Sequence, residues 1–174
     1  MLSVEERLSK FLSKKPLIGT GVFIAPSAVV VGDVTLGNNS SVWYNCVLRG
    51  DINSITIGSG SNIQDGVIGH LADDYPLIVG NRVTVGHGAV IHACKIEDEC
   101  LVGMNATVLD GAHIGKQSIV AAGSVVPVGT VVPEGSLFAG VPGKVKKILS
   151  VHQRSSLKIL AEKYLSVARA HQAI

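Results

Sequence analysis

Bulky aliphatic residues recur along this chain on a period of six, each usually followed by glycine or another small or polar residue. The series runs Ile24, Val30, Leu36, Val42, Leu48, then Ile57, Ile63 and a weak Gly69, then Val79, Val85, Ile91, then Ile96 and onward by sixes to Phe138. Three steps are irregular: nine residues from Leu48 to Ile57, ten from Gly69 to Val79 and five from Ile91 to Ile96. An amphipathic helix needs a period near 3.6 and a half-buried strand alternates, so a period of six fits neither. A sustained fixed period marks a repeat architecture. Six suits a parallel β-helix, in which each hexad is one short strand plus a corner and three hexads close a triangular coil. The predicted fold class is therefore mainly β, with the hexapeptide-repeat β-helix spanning residues 17–148.

The flanks differ. Residues 1–16 form a separate N-terminal segment that reads as a short amphipathic helix. The repeat breaks near Pro142 and Gly143. Ser150 and Gln153 then make an S-x-x-Q capping box. Leu157, Leu160, Ala161, Tyr164 and Ala168 follow at helical spacing, which predicts a C-terminal α-helix over 149–174, packed along the solenoid.

Composition sharpens this picture. Hydrophobic residues make up 47% of the 174 positions and charged residues 16%, against about 25% in ordinary soluble domains. Stacked aliphatic columns explain the first figure, and faces buried in an oligomer would explain the second. The net charge of +2 comes without a basic run, which argues against nucleic acid as a partner. No stretch of 18 apolar residues predicts a membrane span. The N-terminus lacks the continuous apolar core of a secretory signal, and Glu5 and Glu6 argue against a mitochondrial transit peptide. Cys46 and Cys100 fall at the small inward position of the hexad, and Cys94 reads as a core residue too. Reduced thiols point to an intracellular, cytoplasmic setting, with an organelle left open.

The candidate chemistry lies in three histidines. His70 follows Gly69 by one and His92 follows Ile91 by one, and three hexad steps separate the two markers. Three steps are one coil, so the pair should share a corner in adjacent coils, about 4.8 Å apart, close enough to share one Zn2+. His87 follows Val85 by two and belongs to the preceding corner, roughly 16 Å of extended chain away. Either it is unrelated, or it meets the pair from a neighbouring subunit through a contact that closes into a ring. By the same count Arg49 joins the His70–His92 column, Asp65 stacks under His87, Gln64 lies under Gly86, and Asp51 is two residues beyond Arg49. His113, His152 and His171 read as solvated.

The segments LRGD, NIQDGVIGH, VGHGAVIHA and VGMNATVLDGAHIG resemble those of the gamma-class carbonic anhydrases, over roughly residues 17 to 148. The resemblance implies a left-handed course for the β-helix and a homotrimer with a metal at each interface: zinc, with Fe2+ or Co2+ as alternatives. It implies that His70 and His92 bind from one subunit and His87 from the next. Gln64 would orient the metal-bound water, Arg49 and Asp51 would form an interface salt bridge, and Asp65 would support the site. The implied activity is reversible hydration of CO2 to bicarbonate, a lyase reaction. At the proton exit the chain departs from the family: Ile52 stands where one glutamate is expected, and the shortened loop LADDYP offers Asp73, Asp74 or Tyr75 in place of another. A weakly active homologue is therefore an alternative, as is a hydrolase or transferase acting on acyl-CoA thioesters.

Overall fold

A computed structural model describes residues 2–173. The hexads form a parallel β-solenoid of about 7 turns. Its first face is the ladder Val30, Leu48, Gly69, Ile91, Val108, Val126. The second runs Ile18, Leu36, Ile57, Val79, Ile96, Ile114, Val132. The third runs Ile24, Val42, Ile63, Val85, Val102, Val120, Phe138. Each hexad marker thus sits directly above the marker three steps earlier. The aliphatic markers from Leu36 to Phe138 are at most 2% exposed. A narrow prism filled by one column per face is the core.

The weak marker has a packing reason. A Cβ at Gly69 would stand 2.6 Å from Leu48 Cδ2 and 3.1 Å from Leu77 Cδ2. Two leucines fill the volume that a sixth aliphatic would take. The three irregular steps also share a location. Each leads from the first face to the second, so they stack on one edge. This is the edge that carries His70 and His92. The five-residue step turns through Ala93, whose φ of 47° lets the chain round the corner one residue early.

Two helices and a returning strand pack around the coil. Helix α1 (Val4–Phe11) begins with a Ser3–Glu6 capping box and buries Arg7 and Phe11. Past Phe138 the chain turns back as Gly143–Ile148, antiparallel to Ser136–Gly140. Lys144, Lys146 and Lys147 project from this terminal strand, and such charges discourage edge-to-edge pairing. Helix α2 (Val151–Gln172) carries the expected Ser150–Gln153 capping box and buries Leu157, Ala161 and Ala168. Leu160 and Tyr164 are half-buried on the same side. The helix returns along the third face. Arg154 meets Gln117 at 2.8 Å near its start, and Gln172 reaches the Val22 carbonyl at 2.9 Å near its end. Its 22 residues span about 33 Å, close to the rise of seven strands at about 4.8 Å. One helix therefore covers a whole face.

The three cysteines are free and buried, as the hexad positions imply. Burial pushes the Cys46 thiol up to about 11 and those of Cys94 and Cys100 to about 12, so all three stay protonated and inert. Two of the histidines expected to be solvated are also held by specific neighbours. His171 lies with its ring 5.0 Å from that of Trp43 and its Nδ1 3.0 Å from the Tyr44 hydroxyl, because the end of α2 docks on the first coils. His113 Nε2 stands 2.8 Å from Glu97 Oε1 across the second face.

The edge between the second and third faces is held by a charged network. Glu99 accepts from Arg82 at 2.8 Å and from Gln117 at 2.7 Å. Burial works to raise its pKa, but the Gln117 and Arg82 hydrogen bonds and the Arg82 and Lys116 charges outweigh it and hold the carboxyl below its ordinary range. A depressed folded-state pKa contributes stability above the unfolded value of 4.5 that is lost as pH falls through the folded one. Glu99→Gln should cost about 1–3 kcal/mol at pH 7. The difference from wild type should shrink towards pH 3 in paired denaturant melts.

Candidate metal centre

His70 and His92 come into direct register, paired across adjacent coils on the first face. His70 Nδ1 and His92 Nε2 face each other at 3.1 Å, with ring centroids 5.2 Å apart. Each histidine is the last residue of its strand, Ile68–His70 or Val90–His92, just after buried Gly69 or Ile91, so both imidazoles leave the coil at its corner. Their far nitrogens meet carboxylates: His70 Nε2 is 3.0 Å from Asp51 Oδ1, and His92 Nδ1 is 2.5 Å from Asp110 Oδ1. Asp51 is ionised. Burial opposes this, but hydrogen bonds from His70 and Arg49 and the Arg49 charge hold its pKa below the usual carboxylate range.

This arrangement dictates protonation. A carboxylate only accepts, so the ring nitrogen facing it carries the hydrogen. In neutral rings the other nitrogens, His70 Nδ1 and His92 Nε2, then hold lone pairs. Two lone pairs aimed at each other across 3.1 Å repel unless a cation is shared between them. Two nitrogens on one tetrahedral Zn2+ stand about 3.3 Å apart, given Zn–N bonds of about 2.0–2.1 Å. The donor set thus fits a metal. Metal-binding histidines characteristically give their other N–H to a carboxylate, which sets tautomer and orientation.

His87 repeats the pattern at a different corner. It lies in the turn between the third and first faces, with Nδ1 2.7 Å from Asp65 Oδ2. Asp65 is itself placed by the Tyr44 backbone N–H at 3.3 Å. Its stacking under His87 is the one the hexad count implies. Among the described residues of a single chain, no group of three or more His, Cys, Asp or Glu side chains comes together to hold a metal ion. The lone pair on His87 Nε2 faces away from its own Asp65.

Gln64 sits beside this corner, 5% exposed. Its Nε2 donates to Asn62 Oδ1 at 3.1 Å, and Asn62 Nδ2 donates to Thr84 Oγ1 at 3.0 Å. That relay commits the amide nitrogen and leaves Oε1 to accept. A mostly apolar cavity of about 320 Å³ opens here, lined by Gln64, His87, Met104, Leu160 and Tyr164 among others. Burial, with the Asp65 charge, raises the Tyr164 pKa, so its hydroxyl stays a donor.

Arg49 pairs with Asp51 of its own chain, where the resemblance implies a bridge between subunits. Asp73 is drawn to α1: Arg7 Nε stands 3.4 Å from its carboxylate. Tyr75 lies over Gly111, against which a Cβ would meet its ring at 3.5 Å. Ile52 packs partly into the core. The residue that hexad counting passed over is Asp110. The count puts it one position away, because Asp110 follows Val108 by two, His92 follows Ile91 by one, and Val108 is the register partner of Ile91. Counting also reaches Asn62, which precedes Ile63 by one and lies in register with Thr84, whereas Tyr164 gave no such signal.

The family model for bacterial transferase hexapeptide (six repeats) matches residues 15–50 and 93–127. A protein of Methanocaldococcus jannaschii named "Probable carbonic anhydrase" is 49% identical over 152 residues, covering 87% of this chain and 96% of that one. Gamma carbonic anhydrase 2, mitochondrial, of Arabidopsis thaliana is 44% identical over 176 residues, or 98% of this chain. The chain spans only 63% of that plant relative's length. In three dimensions it superposes on a hexapeptide transferase family protein of Anaplasma phagocytophilum with a TM-score of 0.86 and 37% identity, over 89% of this chain and 92% of the other. Repeat, register and histidine constellation thus coincide with sequence identity across nearly the whole chain, and the chain belongs to the gamma carbonic anhydrase family of hexapeptide-repeat proteins.

Proposed function

We propose that this protein hydrates CO2 reversibly to bicarbonate at metal centres shared between subunits of a homotrimer. The observation that carries this reading is the backing of all three histidines by carboxylates: His70 by Asp51, His92 by Asp110 and His87 by Asp65. One chain offers two lone pairs at one edge and one at the next, so a second copy completes the set. The face between those two edges supports the assembly. Its outward column is Val29, Val47, Ile68, Val90, Thr107 and Val125, with no charge among them. The third face is covered by α2, and the second carries Lys95 and His113. Apolar surface of this kind marks an interface, and a head-to-tail contact closes into a ring.

His70, His92 and the neighbour's His87 would hold the ion, with zinc the best fit to three imidazoles and Fe2+ or Co2+ as alternatives. The chemistry such an ion supplies is Lewis acidity, which makes water a nucleophile near neutral pH. Gln64 Oε1 accepts a hydrogen bond from the attacking water and aims its lone pair at carbon. The mostly apolar cavity beside His87 suits a small apolar molecule. Arg49 holds Asp51, and Asp65 holds His87. Asp73 is the group we assign to the proton exit, since Ile52 cannot titrate. The Arabidopsis relative carries a mitochondrial name. For this chain we place the protein in a reducing compartment such as the cytoplasm, on the strength of its three unpaired thiols.

The rival reading, acyl-CoA thioester chemistry, draws support from the transferase-family structure above. Stopped-flow CO2 hydration run beside a panel of acyl-CoA thioesters separates the two. CO2 hydration should be lost on chelation and restored by added zinc, with no thioester turned over. Thioester turnover without CO2 hydration would overturn the proposal.

A further inference from the structure

Helix α1 has no part in the reading above, yet it buries a charge against the histidine edge. Arg7 is 7% exposed. Its Nη1 donates to the carbonyl oxygens of Ile52 at 3.2 Å and Asp73 at 2.9 Å. Asn53 adds a second stitch, its Nδ2 donating to the carbonyls of Ala72 and Asp73, both at 3.1 Å. Lys14, just past the helix, pairs with Asp33 at 2.8 Å on the same edge one coil earlier.

The segments so joined are the two long steps of the repeat. The nine-residue step exceeds six by three (9 − 6), and the ten-residue step by four (10 − 6). Extra residues have no counterpart in a six-residue register. The ladder to the preceding coil breaks off at Gly50 and resumes at Ile55, and the ladder to the following coils breaks off at Leu48 and resumes at Ile55. Asp51 to Ser54 therefore lack a strand partner on either side. Asp51, whose carboxylate orients His70, lies in the part of the solenoid that backbone pairing does not hold. A guanidinium presents several N–H donors in one rigid plane, and a buried one is retained only while its acceptors stay in place.

We propose that Arg7 is a positioning residue of the metal centre. By clamping the Asp51–Ser54 bulge to the 71–74 loop, it holds the Asp51 carboxylate on His70 Nε2 and thereby aims His70 Nδ1. This rests on the metal reading above and extends it to the N-terminal helix.

The test begins with the metal content of the purified wild-type protein. It continues with zinc release to a chelator and with the imidazole 15N signals of His70. The variants are Arg7→Ala, Asn53→Ala and, as a control on the same helix end, Lys14→Ala. Arg7→Ala and Asn53→Ala should release zinc roughly tenfold faster, the scale of losing a ligand-orienting contact. Both should shift the His70 Nε2 signal and raise hydrogen exchange at 50–54 and 71–74, while Lys14→Ala does neither. In an Asp51→Asn background the effect of Arg7→Ala should fall below about twofold, since the contact through which it acts is gone. Should Arg7→Ala not fold, Asn53→Ala decides. Raised exchange with unchanged zinc release and an unmoved His70 signal would overturn the proposal and leave α1 a mere cover. A metal-free wild type would instead refute the metal reading. The His70 signal would still judge the clamp: a shift in Arg7→Ala upholds it and none rejects it.

Discussion

Subunits carrying His87→Ala and subunits carrying His92→Ala, each metal-free alone, should regain metal when unfolded, mixed in equal amounts and refolded together. The expected content is about a quarter of the wild-type value, by the symmetry of a head-to-tail ring. Each seam takes His87 from one subunit and the His70–His92 pair from its neighbour. A seam is intact only when the His92→Ala subunit supplies His87 and the His87→Ala subunit supplies the pair, with a chance of about one half for each. The geometry behind this is the separation of His70 and His92, in register on one edge, from His87, held by Asp65 on another. Metal analysis of the refolded trimer fraction is the readout. No metal in the mixture would mean that each chain builds its site alone, or not at all.

Asp51→Asn and Asp110→Asn should each weaken zinc binding about 10- to 100-fold. The carboxylates touch His70 and His92 at the nitrogens remote from the shared position. An amide accepts more weakly than a carboxylate, and it can turn its NH2 towards the ring. The imidazole hydrogen then moves to the nitrogen that should bind metal. Competition with a chelator of known affinity measures the loss. Glu97→Gln, which alters the analogous His113 contact away from the site, should leave affinity unchanged. A loss below about threefold in both aspartate variants would remove the protonation argument on which the metal reading stands.

The two experiments probe different levels of the molecule. The mixing experiment tests how chains assemble, and the aspartate variants test how one edge of one chain is tuned. The Arg7 clamp connects them to a part of the chain outside the repeat. Turnover should then be limited at the far end of the reaction, where Ile52 replaces a titratable group and Asp73 is engaged by Arg7.

Counting by sixes was enough to place His92 over His70 and His87 over Asp65, and to separate the two corners. In a parallel coil the neighbour of a residue is found by arithmetic, because each hexad spends the same length on a strand and a corner. The buried thiols and the capping box of α2 follow from similarly local rules. Arithmetic stops where the period does. Asp51 lies in a bulge with no register, so its contact with His70 appears only when the edge is folded. Arg7 and Tyr164 reach this region from α1 and from the returning α2, at sequence distances that no repeat encodes. Hydrophobic periodicity prescribes the backbone ladder. The polar groups that orient the histidines are chosen by which side chains that ladder, its bulges and its covering helices bring within hydrogen-bonding reach.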